Sequence, residues 1–252
     1  MASFSDKVVL VMGGSSGMGR VCAEVLAERG AHVLVAARRG ETCEAVAAGI
    51  REAGGSAEGM AVDVRDAAAL EALFTDIGSR FGRLDGAFNN VGQTLGASPT
   101  HETPEARFVE TLEVNLVSMF RCLQHELKLM LAHGGGAIVN NSSIGGTRGF
   151  AGLQDYCASK AGVIGLSKAA ALEYATSGIR INVVAPGLIA TERFEEARES
   201  HAEVLASRLA EVPMRRAGSM RELAGTVCWL LSDEASYLTG AVLTPDGGEC
   251  AR

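Results

Sequence analysis

The sequence predicts an α/β fold, a single doubly wound parallel sheet of seven strands with helices on both faces. Short apolar runs rich in β-branched residues alternate with longer segments whose apolar residues recur at helical spacing. Strands that alternate with helices need right-handed crossovers, which place helices on both faces of one parallel sheet. The 252 residues suffice for one large core, and no linker rich in Pro, Gly or Ser divides them. We therefore expect one domain over residues 1–252.

The elements follow one another in regular order, with one interruption. The predicted strands are Val8–Met12, His32–Ala36, Gly59–Val62, Leu84–Asn89, Ala137–Asn140, Arg180–Val184 and Ala241–Thr244. The predicted helices lie at about 17–29, 41–53, 66–81, 103–132, 155–177 and 219–231. The charged segment 188–216 breaks the alternation, and long excursions of this kind are usually binding lids or mobile loops. We predict a mobile substrate loop there; a solvated surface helix is the alternative.

Composition and charge exclude several classes of function. Thirty acidic and 23 basic side chains give a formal charge of -7, and no run of Lys or Arg attracts a polyanion, so nucleic acid is not an expected partner. No stretch of about 18 apolar residues predicts a membrane span, and Val8–Met12 is too short for a signal-peptide core. The cysteines form no C-x-x-C pair, which favours reduced thiols in a cytoplasmic protein. They are Cys22, Cys43, Cys122, Cys157, Cys228 and Cys250.

A glycine-rich turn follows the first predicted strand. Gly13, Gly17 and Gly19 form a G-x-x-x-G-x-G pattern, and a helical pattern begins at once. Glycines here let the backbone turn sharply and approach a pyrophosphate, which the N–H groups and dipole of the helix N-terminus attract. The spacing differs from the usual G-x-G-x-x-G, but the place directly after the first strand favours a dinucleotide site over a mere tight connection. The other predicted phosphate contacts are Ser15, Ser16 and Met18.

The end of the second strand indicates which dinucleotide is bound. An acidic residue at that point would bind the ribose hydroxyls of NAD, but Arg38 and Arg39 stand there instead. A guanidinium grips a 2'-phosphate with paired, charge-assisted hydrogen bonds and stacks on adenine. The two arginines therefore favour NADP(H), with NAD as a possible cofactor if they are only solvated surface charges.

Tyr156 and Lys160 suggest acid/base chemistry, because a four-residue spacing places them on one face of a predicted helix. A free phenol has a pKa of about 10, and a nearby ammonium favours its ionised form. A tyrosine whose pKa is lowered in this way can donate a proton to a carbonyl oxygen, or remove one from an alcohol. The Y-x-x-x-K spacing alone is common by chance, but Ser143 ends a predicted strand thirteen residues earlier.

Together with the glycine turn, these residues resemble the motifs of the classical short-chain dehydrogenases/reductases, a family with a Rossmann-type fold. The resemblance covers essentially the whole chain, and its motifs occur in the right order and spacing. They are the glycine turn, Asp63-Val64, Asn89-Asn90-Val91-Gly92, Asn115, the serine, tyrosine and lysine named above, Pro186-Gly187-Leu188-Ile189-Ala190-Thr191 and Pro245-Asp246-Gly247-Gly248.

The resemblance implies a role for each member of the catalytic set. Tyr156 would be the general acid/base, and Ser143 would orient and polarise the substrate carbonyl. Lys160 would hold the nicotinamide ribose and lower the tyrosine pKa, and Asn115 would anchor a water that completes a proton relay. No metal ligand is implied.

The resemblance also implies further cofactor contacts. Asp63 would meet the adenine amino group, while Ile189 and Thr191 would fix the carboxamide and the phosphates. The other implied contacts, along the adenosine side and the nicotinamide side, are Val64, Asn90, Gly92, Pro186 and Gly187. Two positions depart from the family: Met12 stands where a threonine is usual, and Val91 replaces an alanine. We expect these to alter cofactor affinity without abolishing activity.

The leading hypothesis is an NADP-dependent ketone reductase or alcohol dehydrogenase. One alternative is an NAD-dependent alcohol dehydrogenase that runs oxidatively, and a less favoured one is a non-catalytic cofactor-binding protein. An apolar cleft for a hydrophobic or cyclic ketone is expected, with Gln93 as a polar anchor. Helices 103–132 and 155–177 carry apolar residues around much of their circumference, which predicts a homotetramer or homodimer, as in similar enzymes.

Overall fold

The computed structural model describes residues 3–251, apart from the side chains of Arg193 and Ala197. The strands in that range are β1 (Val8–Met12), β2 (His32–Ala37), β3 (Ser56–Ala61), β4 (Gly86–Asn89), β5 (Gly136–Asn141), β6 (Ile179–Val184), β7 (Ile189–Ala190), β8 (Gly218–Ser219) and β9 (Val242–Leu243). Seven of them form one sheet in the order β3-β2-β1-β4-β5-β6-β9, and every pairing in it is parallel. The predicted doubly wound, seven-stranded fold is confirmed.

Helices cover both faces of the sheet. They are α1 (Gly17–Glu28), α2 (Gly40–Glu52), α3 (Ala67–Phe81), α4 (Glu105–Leu112), α5 (Ser118–His133), α6 (Gln154–Tyr174), α7 (Glu192–Ser200), α8 (Ala202–Glu211) and α9 (Met220–Leu231). One apolar core lies between the sheet and α1, α2 and α9, and a second lies between the sheet and α3, α5 and α6. Side chains of β1 point alternately into the two cores. Val9 and Val11 pack in the first core, and Leu10 and Met12 pack in the second. None of the helices in residues 3–251 has the length and apolar content needed to cross a membrane.

Two predicted elements differ from the structure. The third strand begins at Ser56, three residues before the predicted Gly59, because pairing with β2 defines it although the sequence Ser-Ala-Glu lacks a strong strand pattern. The single helix predicted over 103–132 is two helices, α4 and α5, joined by a π-helical turn at Glu113–Val117. Such turns occur frequently at functional sites.

The excursion predicted as a loop over 188–216 contains helices α7 and α8. Its two ends are held together by the short parallel ladder of β7 and β8, in which Ile189 pairs with Gly218. The segment is therefore largely helical and anchored at both ends. Its mobility stays a prediction.

A chain of buried polar side chains joins β4 and β5 to α5 and α6 on one face of the sheet. Glu126 on α5 accepts a hydrogen bond from Nδ2 of Asn89 at 2.9 Å, and that nitrogen also donates to Asn140. Asn140 donates in turn to the hydroxyl of Ser167 on α6. Buried polar groups are tolerated when they are hydrogen-bonded, so this chain fixes α5 and α6 against β4 and β5.

Burial raises the pKa of Glu126 to about 7, whereas its ordinary value is 4.5. Between these values the folded protein keeps a proton that the unfolded chain releases, so stability is lost as the pH rises from about 4.5 through about 7. Glu126→Gln keeps an acceptor for Asn89 and should remove this loss. We expect the unfolding free energy of the variant, relative to wild type, to rise by roughly 1–3 kcal/mol between about pH 5 and pH 8.

Urea denaturation at the two pH values measures this difference. Glu52→Gln, a change at an exposed position of α2, is the control for loss of a surface charge. A difference between Glu126→Gln and wild type that stays constant with pH would show that Glu126 is ionised throughout.

Candidate active site

A groove of about 600 Å³ opens at the carboxyl ends of β1, β2, β3 and β4. It lies where the strand order reverses on either side of β1, the usual ligand position in doubly wound sheets. The predicted residues that line it are Gly13, Ser15, Ser16, Gly17, Met18, Arg38, Arg39, Asp63, Val64, Asn90, Gly92 and Thr191. Residues from five separate segments of the sequence therefore meet along one groove.

The glycine turn has the shape that a pyrophosphate requires. Gly13 and Gly17 have left-handed backbone angles, with φ of +75° and +54°. A Cβ on Gly19 would stand 2.2 Å from the carbonyl oxygen of Gly13, so only glycine fits there. Ser16 is the N-cap of α1 but makes no side-chain cap bond, and the first turn carries no acidic residue. The first N–H groups of α1 can therefore bind an anion, which fits the phosphates of a dinucleotide.

The adenosine end of the groove is rich in arginine. Arg38 and Arg39 are exposed and form no ion pair within 4 Å among the described residues. Asp63, expected to meet the adenine amino group, accepts hydrogen bonds from the guanidinium and backbone N–H of Arg65. This contact, together with the positive charge of Arg38, lowers the pKa of Asp63. Sequence reasoning missed Arg65, although it follows directly on the Asp63-Val64 motif.

The catalytic candidates converge beside this groove. The Ser143 hydroxyl lies near enough to the phenol of Tyr156 to oppose the rise in its pKa, and Nζ of Lys160 lies 5.9 Å from the centroid of the Tyr156 ring. Gly92 joins the two regions, because a Cβ on it would stand 3.0 Å from Nζ of Lys160 and 3.5 Å from Oδ1 of Asn115. The four predicted catalytic residues therefore share one site at an end of the groove.

Burial dominates the ionisation of the tyrosine and the lysine. It raises the pKa of Tyr156, against a smaller opposing effect of the hydrogen bond with Ser143. It also lowers the pKa of Lys160 to about 8. Nζ of Lys160 donates to the carbonyl of Asn141 at 2.9 Å, a contact that the sequence did not suggest. The expectation that Lys160 lowers the pKa of Tyr156 stays a prediction.

Asn115 lies in the π-helical turn and is fully buried. Its side chain exchanges two hydrogen bonds with the backbone of Gln93: Gln93 N donates to Oδ1 at 2.8 Å, and Nδ2 donates to Gln93 O at 2.9 Å. Nδ2 also donates to the hydroxyl of Ser159 on α6. Since these bonds occupy the side chain, Asn115 joins the strand end after β4 to α6.

Three predicted cofactor contacts, from Pro186 to Ile189, are not among the residues that line this groove. Pro186 accepts a hydrogen bond from the N–H of Ile144, and Gly187 lies so close to Asp246 that a Cβ would stand 2.8 Å from the aspartate Cβ. Ile189 packs in the first apolar core. This segment therefore shapes the wall, and only Thr191 from it reaches the groove.

Sequence reasoning also missed residues on the walls of the site. Glu192, directly after Thr191, lines the groove, and its carboxylate pairs with Arg20 at 3.3 Å. On the substrate side, the ring of Phe150 lies beside Gly145 and Tyr156, within 3.3 Å of where a Gly145 Cβ would be. Neither position belongs to a motif of the family, so no pattern distinguished them.

Comparisons with known proteins agree with this geometry. The family model described as "Enoyl-(Acyl carrier protein) reductase" matches residues 13–249. A levodione reductase of Leifsonia aquatica is 40% identical over 255 residues, which cover 98% of this chain and 96% of the relative. A cis-4-hydroxycyclohexanecarboxylate dehydrogenase of Sinomonas cyclohexanicum is 39% identical, over 99% of this chain and 98% of the relative.

A solved structure shows the same fold with a ligand. The crystal structure of a protein from Beutenbergia cavernae with bound NADP at low occupancy superposes with a TM-score of 0.93. The two chains are 34% identical, and the match covers 99% of each.

Proposed function

The chain belongs to the short-chain dehydrogenase/reductase family and is an NAD(P)-dependent oxidoreductase for a ketone and its secondary alcohol; within that reaction we propose NADP(H) as the cofactor and a cyclic, largely apolar ketone as the substrate. The observation that carries the proposal is the convergence of Tyr156, Ser143 and Lys160 at the end of a groove whose glycine turn fits a dinucleotide.

Each catalytic residue has a separate role in the proposed reaction. The bound nicotinamide supplies or accepts the hydride. Tyr156 donates its hydroxyl proton to the carbonyl oxygen in reduction and removes the alcohol proton in oxidation, while Ser143 holds that oxygen by a hydrogen bond. Lys160 would hold the nicotinamide ribose of the bound cofactor from the buried position that Gly92, which lacks a side chain, leaves open. Asn115 keeps the π-helical turn in place, and we retain its role in anchoring a water of the proton relay.

Tyr156→Phe tests this division. The variant keeps the ring and its packing but loses the only hydroxyl proposed to transfer a proton, so turnover should fall by roughly 10²–10⁴-fold. NADPH binding, followed by nicotinamide fluorescence, should survive, because the glycine turn and the arginines are untouched. Tyr174→Phe is the matched control on the same helix. Turnover retained in Tyr156→Phe would remove this residue from the mechanism.

Arg38 and Arg39 support NADP(H) over NAD(H). Both line the adenosine end of the groove and have no carboxylate ion partner within residues 3–251, and Arg39 is the N-cap of α2 without a side-chain cap bond. A 2'-phosphate there would meet two guanidiniums and the N-terminus of a helix. Glu41 in the first turn of α2 is the nearest opposing charge on that helix.

A comparison of NADPH and NADH binding measures the cofactor preference. We expect NADPH to bind tighter by at least about tenfold, and Arg38→Ala to remove most of that advantage while NADH affinity changes little. Arg198→Ala, at an exposed position of α7 outside the groove, is the control for loss of one positive charge. Tighter binding of NADH by wild type would favour an NAD-dependent alcohol dehydrogenase that runs oxidatively.

The substrate side favours a ring-shaped, largely apolar molecule. The rings of Phe150 and Tyr156 both lie against Gly145, whose N–H donates to the Ser143 hydroxyl, so this wall is apolar and has little side-chain bulk at the glycine. The names of two relatives, levodione reductase and cis-4-hydroxycyclohexanecarboxylate dehydrogenase, also point to six-membered rings. Gln93 lines the groove, and its Nε2 is buried without a partner among the described residues, so it can donate to a bound polar group.

We also propose a cytoplasmic homotetramer or homodimer. The free cysteines suit a reducing compartment. Helices α4, α5 and α6 expose large apolar side chains, and pairing these helices with those of a second subunit would cover them. These side chains are Val109, Phe120, Leu131 and Leu172, of which Leu172 is 83% exposed.

Sedimentation equilibrium tests the assembly. The wild-type protein should be at least a dimer at micromolar concentration, and Phe120→Glu combined with Leu172→Glu should lower its mass towards that of one chain. Val204→Glu, at an exposed position of α8 outside these helices, should leave the mass unchanged. A monomeric wild type at that concentration would refute the assembly.

A further inference from the structure

Asn141, the last residue of β5, carries a buried amide. It is 5% exposed, and its Nδ2 donates to Oδ1 of Asn90 at 2.8 Å. Its own Oδ1 is buried and has no hydrogen-bond partner within residues 3–251. A buried polar atom without a partner costs free energy, and this cost offsets much of what the single hydrogen bond contributes. Stability of the fold alone therefore does not explain the amide.

Asn90 connects Asn141 to the glycine turn. It lines the groove directly after β4, and its Nδ2 donates to the carbonyl oxygen of Gly13 at 3.4 Å. The same Nδ2 stands 2.9 Å from where a Cβ of Gly19 would be, so the amide packs against both glycines. The side chain of Met12, just before the turn, is buried in the second apolar core and has no hydrogen-bond donor to offer.

The hydrogen bond between the two amides fixes the orientation of Asn90. Because Oδ1 of Asn90 accepts from Asn141, its Nδ2 is presented to Gly13. With the amide turned over, Oδ1 of Asn90 would face the carbonyl of Gly13, and two acceptors would repel each other. Asn141 thus selects the orientation in which Asn90 can hold the turn.

The backbone of Asn141 makes a separate contact with the lysine of the site. Its carbonyl accepts a hydrogen bond from Nζ of Lys160 at 2.9 Å, and Lys160 is itself buried. The backbone of β5 is held at this point by its pairing with β6, where Asn141 lies opposite Val184. A substitution of the side chain therefore removes the contact with Asn90 and keeps the contact with Lys160.

We propose that Asn141 is a positioning residue for the cofactor: through Asn90 it holds the glycine turn in the conformation that binds the pyrophosphate. Asn141 itself lies outside the set of described residues that line the groove. Without its hydrogen bond the Asn90 amide is free to turn over, and only a fraction of the molecules has the competent turn. The apparent affinity for the dinucleotide falls by that fraction. This inference rests on the proposed place of the cofactor in the groove.

Asn141→Leu tests the proposal. Leucine has the same branched shape but no donor for Asn90. We expect the Kd of NADPH, followed by nicotinamide fluorescence, to rise by about 3- to 10-fold. The KM for NADPH should rise likewise, whereas kcat at saturating NADPH should change by less than about twofold, because bound cofactor restores the turn. Thermal stability should change little, since the substitution also removes the unpaired oxygen.

A fragment of the cofactor locates the effect. The fragment 2'-AMP carries the adenosine and the 2'-phosphate but lacks the 5'-phosphates that the glycine turn would bind. Its dissociation constant, measured by displacement of NADPH, should be the same in Asn141→Leu and wild type. Equal losses of affinity for 2'-AMP and NADPH, or no loss for either, would overturn the proposal.

A double-mutant cycle shows whether Asn141 acts through Asn90. Asn90→Ala removes the amide that contacts Gly13, so adding Asn141→Leu to it should weaken NADPH binding no further. Additive losses in the double variant would contradict a role through Asn90. If the larger leucine prevents folding, Asn141→Ala removes the same donor and takes its place in both experiments.

Asn182→Leu is the matched control. It makes the same change at a buried asparagine of β6, whose amide bonds the backbone of Leu238 and Ala241 near the edge strand β9. It should lower thermal stability and leave NADPH affinity unchanged. A wild type that binds NADH more tightly than NADPH would refute the proposed cofactor. The role of Asn141 would then be decided by the same comparison with NADH and adenosine.

Discussion

The hydrogen bonds of the buried Asn115 side chain fix the relative positions of the elements that form the site. Its reciprocal hydrogen bonds with Gln93 tie the π-helical turn to the segment that follows β4, and its bond with Ser159 ties both to α6. The cofactor groove lies along that segment, and the tyrosine and lysine are on that helix. Because a buried amide must satisfy its polar atoms, the three elements can adopt few relative positions. One residue thus sets the groove and the catalytic side chains against each other.

Burial is the second constraint, and it acts on both catalytic side chains. It opposes the charged form of the phenol and the charged form of the ammonium alike, as the raised pKa of Tyr156 and the lowered pKa of Lys160 show. A site of this kind has a low effective dielectric, so a nearby charge acts strongly.

Two ion pairs lie on the walls of the groove. Asp63 pairs with Arg65, two residues along the chain, whereas Glu192 at the start of α7 pairs with Arg20 in the first turn of α1, far away in sequence. The second contact holds the helical excursion against the glycine turn, where phosphates are to bind. Since both pairs are largely exposed, they contribute little to stability and can exchange partners at small cost.

The amino-acid sequence by itself determined the fold and the set of chemical groups. The alternation of apolar runs with helical patterns predicts the doubly wound sheet, since parallel strands need covered faces and right-handed crossovers. The glycine turn and the spacing of Tyr156 and Lys160 predict the groove and its reactive end, because these depend on local backbone geometry. Arg38 and Arg39 can likewise be recognised from the sequence, because their place directly after β2 is a local feature of the chain.

Only the tertiary structure decided how those groups behave. The π-helical turn, the pairing of β3 and the packing of Ile189 in the first apolar core depend on contacts between segments far apart in sequence. The sign of the pKa change at Tyr156 depends on burial, which no spacing in the sequence states. The ion pair of Asp155 and Arg107 joins residues nearly fifty positions apart, so it exists only because α4 packs against the start of α6. Local patterns specify residue types and elements, whereas desolvation and long-range contacts specify the electrostatics of the site.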